Sequence, residues 1–294
     1  MGRPGANTYA AMGFMVVATI LLSVLNVAAK ALGARYPVTE FVWVRMTVHL
    51  LIVIAIAYPL VGSALFRSHA TRAQLSRSAL LVATGLLFFQ ALRFLSLAEV
   101  AAITFSSPLI TVLLAGPLLH ERVTRGRVAA AVIGFIGVVA VIQPFSASAT
   151  PAVLLPLAAA LTASLYTLLT RRMPMSEAPF TTWFYTAVVG SALLPATAPF
   201  GWAVPNAPDA MLLASLGILG GFGHLAIINA YRRAAASLIA PLGYLELIWT
   251  AVLGLALFAE LPNLLALVGM AAIGTGGAMV ASQGRRSQVP LEVQ

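Results

Sequence analysis

The chain has 294 residues, of which 61% are hydrophobic and 9% charged, with a mean hydropathy of +0.97. A soluble domain carries about 25% charged residues, so this composition excludes a water-soluble enzyme or free-standing nucleic-acid binder and requires lipid as solvent. Seventeen Lys+Arg against eight Asp+Glu leave a net charge of +9, and the absence of cysteine excludes disulfide and thiolate chemistry.

A hydrocarbon core of about 30 Å takes roughly 20 apolar residues per helix. Ten segments meet this length, at 9–33, 38–61, 75–95, 99–119, 127–143, 151–170, 180–199, 209–231, 236–258 and 263–282. The connections are too short for a folded domain, and the opening eight residues are too short for a signal peptide, so the first segment is read as a span.

In span 1, Thr19, Ser23, Asn26 and Lys30 are four, three and four residues apart, which places them on one helical face about 60° wide. Lipid penalises such a stripe, so it is expected to face protein or water. Two roles are open for Lys30: reaching the headgroups, or meeting a substrate carboxylate. Span 2 carries Arg45 and His49 one turn apart, and span 3 places Gln90 and Arg93 on one face. Arg93 serves either as a headgroup anchor or as a partner of Glu99. Span 4 aligns Thr104, Ser107 and Thr111, with Pro108 interrupting the hydrogen-bond ladder and able to free a carbonyl.

Span 6 repeats the polar face with Thr162, Tyr166 and Thr170, read as the wall opposite the span 1 stripe. The alternative for each Ser, Thr or Asn is an interhelical hydrogen bond of about 0.6 kcal/mol. In span 8, Gly217-x-x-x-Gly221 is a close-packing motif ahead of His224, which is either hydrogen-bonded structure or a group that titrates. Span 9 holds Glu246, the only carboxylate near mid-membrane, with Trp249 and Thr250 on its face. A buried carboxylate needs a partner, water or a proton: it binds a substrate ammonium, carries a proton, or pairs with a buried Arg such as Arg45. Tyr244 points about 160° away from Glu246 unless the helix unwinds, and Pro241 permits that. Glu121 and Glu260 end spans 4 and 9 and are expected to cap helix ends or pair with loop arginines, a place where a gate could form.

With a cytoplasmic N-terminus, the inside segments hold Arg3, Arg67, Arg72, Arg77, Arg122, Arg125, Arg127, Arg171, Arg172, Arg232, Arg233, Arg285 and Arg286, whereas the outside loops hold only Arg35. The +9 is therefore a positive-inside pattern with both termini cytoplasmic, and no nucleic-acid partner is expected.

A shift of about 140 residues superimposes two halves: Ala91-Leu92-Arg93 falls on Ala230-Tyr231-Arg232, Thr111 on Thr250, and His120-Glu121 on Ala259-Glu260. Gly134-x-x-Gly137 meets Gly274-x-x-Gly277, and Pro37-Val38-Thr39 meets Pro179-Phe180-Thr181. Five helices per unit is odd, so tandem copies lie in opposite orientations, the inverted-repeat plan of secondary transporters. The expected domains are 1–145 and 146–283, with a short cytoplasmic tail at 284–294.

Pro108-Leu109-Ile110-Thr111, His120-Glu121-Arg122-Val123-Thr124 and Gly134-Phe135-Ile136-Gly137-Val138 together resemble the EamA signature of the drug/metabolite transporter superfamily. The second copy, from Glu246 through Glu260-Leu261-Pro262 to Gly269 and Gly274, keeps the spacing but lacks Arg after the Glu. Within the superfamily the chain looks most like aromatic amino-acid exporters of the YddG type. The resemblance implies a central cavity lined mainly by spans 1, 3, 4, 6, 8 and 9, with span 2 outside it and Arg45 structural.

The resulting expectation is an all-α, ten-helix inner-membrane exporter of small metabolites, most of all amino acids, working by alternating access and as a monomer. Drug or cation efflux and a channel-like facilitator are the alternatives. The candidate substrate-binding residues are Ser23, Asn26, Lys30, Gln90, Ser107, Thr111, Thr162, Tyr166, His224, Tyr244, Glu246 and Trp249. No HExxH, acidic cluster or phosphate loop occurs, so no enzyme activity, metal or cofactor is expected.

Overall fold

A computed structural model describes residues 6–33, 35–119, 125–143, 150–171, 177–233, 240–260 and 262–286. Glu121 and the rest of the His120–Thr124 motif lie outside the described residues. Eleven α-helices and no strands occur among the described residues: α1 Ala6–Leu32, α2 Val38–Val61, α3 Thr71–Ala91, α4 Leu97–Thr104, α5 Ser107–Leu119, α6 Arg125–Ile142, α7 Leu154–Arg171, α8 Pro179–Leu193, α9 Ala207–Arg233, α10 Leu245–Phe258 and α11 Leu264–Arg286. Four described stretches are long and apolar enough by themselves to cross a bilayer: Tyr9–Leu32, Val38–Phe66, Pro151–Thr170 and Ala207–Ala230. The other apolar helices are shorter.

Several expected boundaries move, for identifiable reasons. The fourth span is broken at Phe105–Ser106 into α4 and α5, because a proline three residues on supplies no N–H and crowds the carbonyl four residues back. The seventh ends as α-helix at Leu193 and continues to Phe200 as a 3₁₀ turn containing Pro195 and Pro199. In the ninth, Ala240–Tyr244 is 3₁₀ and the α-helix begins only at Leu245. The third starts at Thr71, and Arg77, expected among the cytoplasmic-side arginines, is buried within it at 2% exposed.

α1 packs on α9 and α10, and α7 packs on α3 and α5. α2 packs on α9, and α8 on α3; α2 meets α8, and α6 meets α11. Exchanging the halves (α1 with α7, α2 with α8, α3 with α9, α4–α5 with α10, α6 with α11) returns the same set of neighbours. The outward face of α6 carries Val128, Val132, Ile136 and Val139, all exposed. Such a stripe of large apolar side chains needs lipid rather than water to cover it.

The α6–α11 pair is a backbone-to-backbone contact. A Cβ on Gly137 would lie 2.5 Å from the Gly269 carbonyl oxygen, and one on Gly269 would lie 2.5 Å from the Gly137 oxygen. No backbone can yield that much without parting the helices. Gly137→Ala is therefore expected to destabilise the protein by about 1–3 kcal/mol, read as a lower thermal midpoint in detergent. Gly274→Ala, whose Cβ would meet nothing within 4 Å, is expected to leave the midpoint unchanged or slightly raised. Equal midpoints for the two variants would refute this account of the contact.

Candidate functional site

The two helix breaks occupy corresponding places in the halves. Phe105, at the end of α4, and Tyr244, just before α10, differ by the repeat shift, and their rings meet with centroids 5.9 Å apart. The hydrogen bonds beyond each break correspond as well. The Ser107 carbonyl accepts from Ser164 Oγ of α7 at 2.7 Å and from Thr111 Oγ1 at 2.9 Å. The Glu246 carbonyl accepts from Ser23 Oγ of α1 at 3.4 Å and from Thr250 Oγ1 at 2.7 Å. In each half, a carbonyl near a helix start thus also accepts from a serine of the first helix of the opposite half.

The side chains break this symmetry. Where one half has Ser107, the other has Glu246, whose Oε1 accepts from Asn26 Nδ2 at 3.1 Å. The carboxylate lies in the first turn of α10, where the partial positive charge of the helix N-terminus favours an anion. One turn on, Trp249 Nε1 donates to Thr19 Oγ1 at 3.3 Å. Three of the four residues of the span 1 stripe therefore line α10 at Glu246 and Trp249. Lys30 pairs with Glu260 and donates to the Leu95 carbonyl at 3.4 Å.

The stripes of spans 1 and 6 do not face each other as walls. Thr162 shares a 2.8 Å hydrogen bond with Thr84 of α3, and the Tyr166 hydroxyl accepts from Arg77 Nη1 at 3.0 Å. Thr170 bonds back to the Tyr166 carbonyl. Helix α7 is laid on α3, so its polar face is spent on that contact. Gln90 is half-buried near the end of α3, and its backbone carbonyl accepts from the Arg93 amide at 3.2 Å.

Sequence reasoning missed a second polar cluster, on α2 and α9. Arg45 is 7% exposed, yet it forms no hydrogen bond or ion pair with any described residue, against the expected carbonyl or ion-pair role. Its guanidinium lies over the Phe89 ring at 5.6 Å and against two glycines. A Cβ on Gly85 would be 3.6 Å from Nη1, and one on Gly220 would be 3.0 Å from Nε. One turn along α2, the His49 ring stacks on His224 of α9 at 6.0 Å, and the Nε2 atoms of both are buried without a partner. Gly217 and Gly221 do pack α9 closely on α2: a Cβ at Gly217 would lie 2.4 Å from Val48 Cβ. The signal was legible in principle. An Arg and a His one turn apart, opposite a glycine-rich helix, leave polar side chains where only small residues make room.

Both ends of the bundle are tied across the halves. At one end Glu260 also accepts from the Leu97 amide at 3.0 Å, Arg35 reaches Asp209 at 2.6 Å, and Arg93 binds the Gly33 carbonyl at 2.7 Å rather than Glu99, which caps α4 with Ser96. At the other end Glu177 accepts from Ser68 Oγ, Gln74 Nε2 and the His69 and Ala70 amides at the start of α3. Burial alone pushes the Glu177 carboxyl up, but these four donors together hold it below its ordinary value. Its stabilising effect is therefore full above the unfolded carboxyl's pKa and is lost as pH falls through the lowered folded value. Glu177→Gln is expected to cost about 1–2 kcal/mol at neutral pH, with the difference from wild type vanishing in acid. A difference that persists at pH 2–3 would contradict this origin. Among the described residues, no three His, Cys, Asp or Glu are grouped to hold a metal ion.

A family model described as the EamA-like transporter family matches residues 10–143 and again 150–282. A riboflavin transporter of Brucella anthropi is 28% identical over 263 residues, covering 85% of this chain and 90% of that protein. An S-adenosylmethionine uptake transporter of Rickettsia prowazekii is 29% identical over 161 residues, and the match spans 55% of each chain, about half the length of that relative. A solved crystal structure with 22% identity matches with a TM-score of 0.67 over 96% of this chain and 99% of that one, a likeness of fold alone.

Proposed function

The chain belongs to the EamA-like transporter family, and from that premise we propose that it exports small zwitterionic metabolites, amino acids foremost, by alternating access. The observation that carries this reading is the pair of matching helix breaks, with a lone carboxylate on one of them. Discontinuous helices at corresponding places in two repeats mark the substrate site in inverted-repeat transporters, because helix ends there present unpaired backbone groups and a partial charge. Glu246, steadied by Asn26, is the binding point for a substrate ammonium. Ser23, Trp249 and Tyr244 border it, and Phe105 and Tyr244 offer aromatic surface to a side chain. Rocking of the halves, with release of Lys30–Glu260 at one end, opens the site to each side in turn.

In this reading the protein is a monomer in the bacterial inner membrane with both termini cytoplasmic, since the two halves together complete one site. The direction comes from the resemblance to amino-acid exporters, whereas the Rickettsia relative is named for uptake of S-adenosylmethionine, which also carries an amino-acid head. The test is flux of labelled compounds in proteoliposomes of both orientations, with a panel of amino acids, S-adenosylmethionine and riboflavin. Saturable amino-acid flux supports the reading. Flux of riboflavin alone, or channel-like ion conductance, sinks it.

A further inference from the structure

Arg45 presents a physical problem. A guanidinium has five N–H donors, and burying such a charge without hydrogen bonds costs several kcal/mol. Proteins meet that cost with a carboxylate, carbonyls or water. Here the side chain is 93% removed from solvent and meets an aromatic ring and two glycines, without a described acceptor in hydrogen-bond range. Buried Arg77 in the same bundle differs at its two terminal nitrogens, which donate to Tyr166, Gln74, Thr182 and Thr186, while its Nε is without a partner.

The surroundings are built around the unfilled donors. Gly85 on α3 and Gly220 on α9 come from different halves and flank the guanidinium, and a Cβ at Gly220 would crowd Nε at 3.0 Å. The unpartnered Nε2 atoms of His49 and His224 lie along the same α2–α9 contact, where the two rings stack. The Nε2 atoms add two further polar points that nothing in the described protein satisfies. The neighbouring carboxylate, Glu246, is committed to Asn26 and makes no ion pair with Arg45. A Cβ on Gly220 would meet both Arg45 Nε at 3.0 Å and Leu25 Cδ1 at 3.1 Å, so the guanidinium lies beside α1, whose Asn26 holds Glu246.

We infer that Arg45 is the residue that binds the substrate's carboxylate, taking it as a two-point acceptor on the guanidinium while Glu246 takes the ammonium. This deepens the zwitterion reading above and rests on it. It adds a specificity-determining residue on α2, a helix expected to lie outside the site. The planar guanidinium matches a carboxylate in two parallel hydrogen bonds, which an ammonium side chain cannot reproduce. His49 and His224 are neighbours placed to bond the remaining carboxylate lone pairs.

The experiment compares an amino acid with its own amide, which keeps the ammonium and side chain but removes the anion. Purified wild type in proteoliposomes is expected to prefer L-phenylalanine over L-phenylalaninamide by about 10- to 100-fold in kcat/KM. In Arg45→Gln that preference is expected to shrink to within about threefold, since the acid then loses its partner and the amide does not. Arg45→Lys, which keeps the charge without the fork, is expected to fall between the two, and it serves as the test where Arg45→Gln does not fold. Loss of flux by equal factors for acid and amide overturns the inference and leaves Arg45 a positioning residue. So does a preference retained in both variants while wild type transports amino acids, and in that case the parent reading stands. Wild type that moves neither compound, nor any amino acid, overturns the parent reading and this inference with it.

Discussion

Glu246→Gln is expected to lower amino-acid kcat/KM by about 10- to 100-fold while leaving membrane expression near wild type. A charge-assisted hydrogen bond contributes about 1.5–3 kcal/mol, and each 1.4 kcal/mol is a factor of ten. The substitution is nearly isosteric: the amide oxygen can still accept from Asn26 Nδ2, so the contact between α1 and α10 survives. The Glu246 carbonyl that holds Ser23 and Thr250 is backbone and is unaffected. What goes is the negative charge at the start of α10, and with it the attraction for a substrate ammonium. Glu246→Asp keeps the charge on a shorter stem and is expected to recover part of the loss. Initial rates in proteoliposomes, normalised to inserted protein, decide the matter. A Gln variant with unchanged KM and kcat would show that the carboxylate serves packing alone.

The second large effect is on stability. Arg77→Met is expected to destabilise the protein on the order of 3 kcal/mol, because the methionine fills much of the volume but donates to nothing. Arg77 Nη2 donates to the Thr182 carbonyl at 2.8 Å, Thr186 Oγ1 at 3.0 Å and Gln74 Oε1 at 3.2 Å, and Nη1 reaches the Tyr166 hydroxyl at 3.0 Å. The guanidinium carbon also sits 5.2 Å from the centre of the Tyr166 ring. These contacts tie α3 of the first half to α7 and α8 of the second. Tyr166→Phe removes one of them and is expected to cost about 1 kcal/mol. Denaturant or thermal unfolding in detergent reads both changes. An Arg77→Met variant as stable as wild type would show that the network is replaceable by packing.

Arg77 also shows where reading a sequence by charge reaches its limit. Its position near the cytoplasmic end of an apolar segment fits a positive-inside arginine, and nothing local says otherwise. Three of its four acceptors, Tyr166, Thr182 and Thr186, lie about 90–110 residues away in sequence, on α7 and α8. Asn26 and Glu246 were each conspicuous in an apolar background, since a polar group there needs a reason. That they meet, 220 residues apart, was not legible in either one. The polar stripe on span 1 was real as a face, but whether such a face meets water or another helix depends on what is laid against it. Lys30 is the same case: its partner, Glu260, lies 230 residues away in sequence. Pro108 and Pro241 announced distortions, because the missing N–H is a local property of the residue. That the two breaks correspond, and that Phe105 and Tyr244 meet there, needed the helices assembled.

The amino-acid sequence alone determined that this chain needs lipid, that it divides into helical segments, and that its halves repeat, since hydropathy, periodicity and internal similarity are properties of the order of residues. The tertiary structure alone decided which polar groups are satisfied and which are not. Asn26 found Glu246, Arg77 found Tyr166 and Thr186, and Arg45 found no acceptor among the described residues. The physical reason is that the cost of a buried polar group depends on its partners, and partners are supplied by distant parts of the chain.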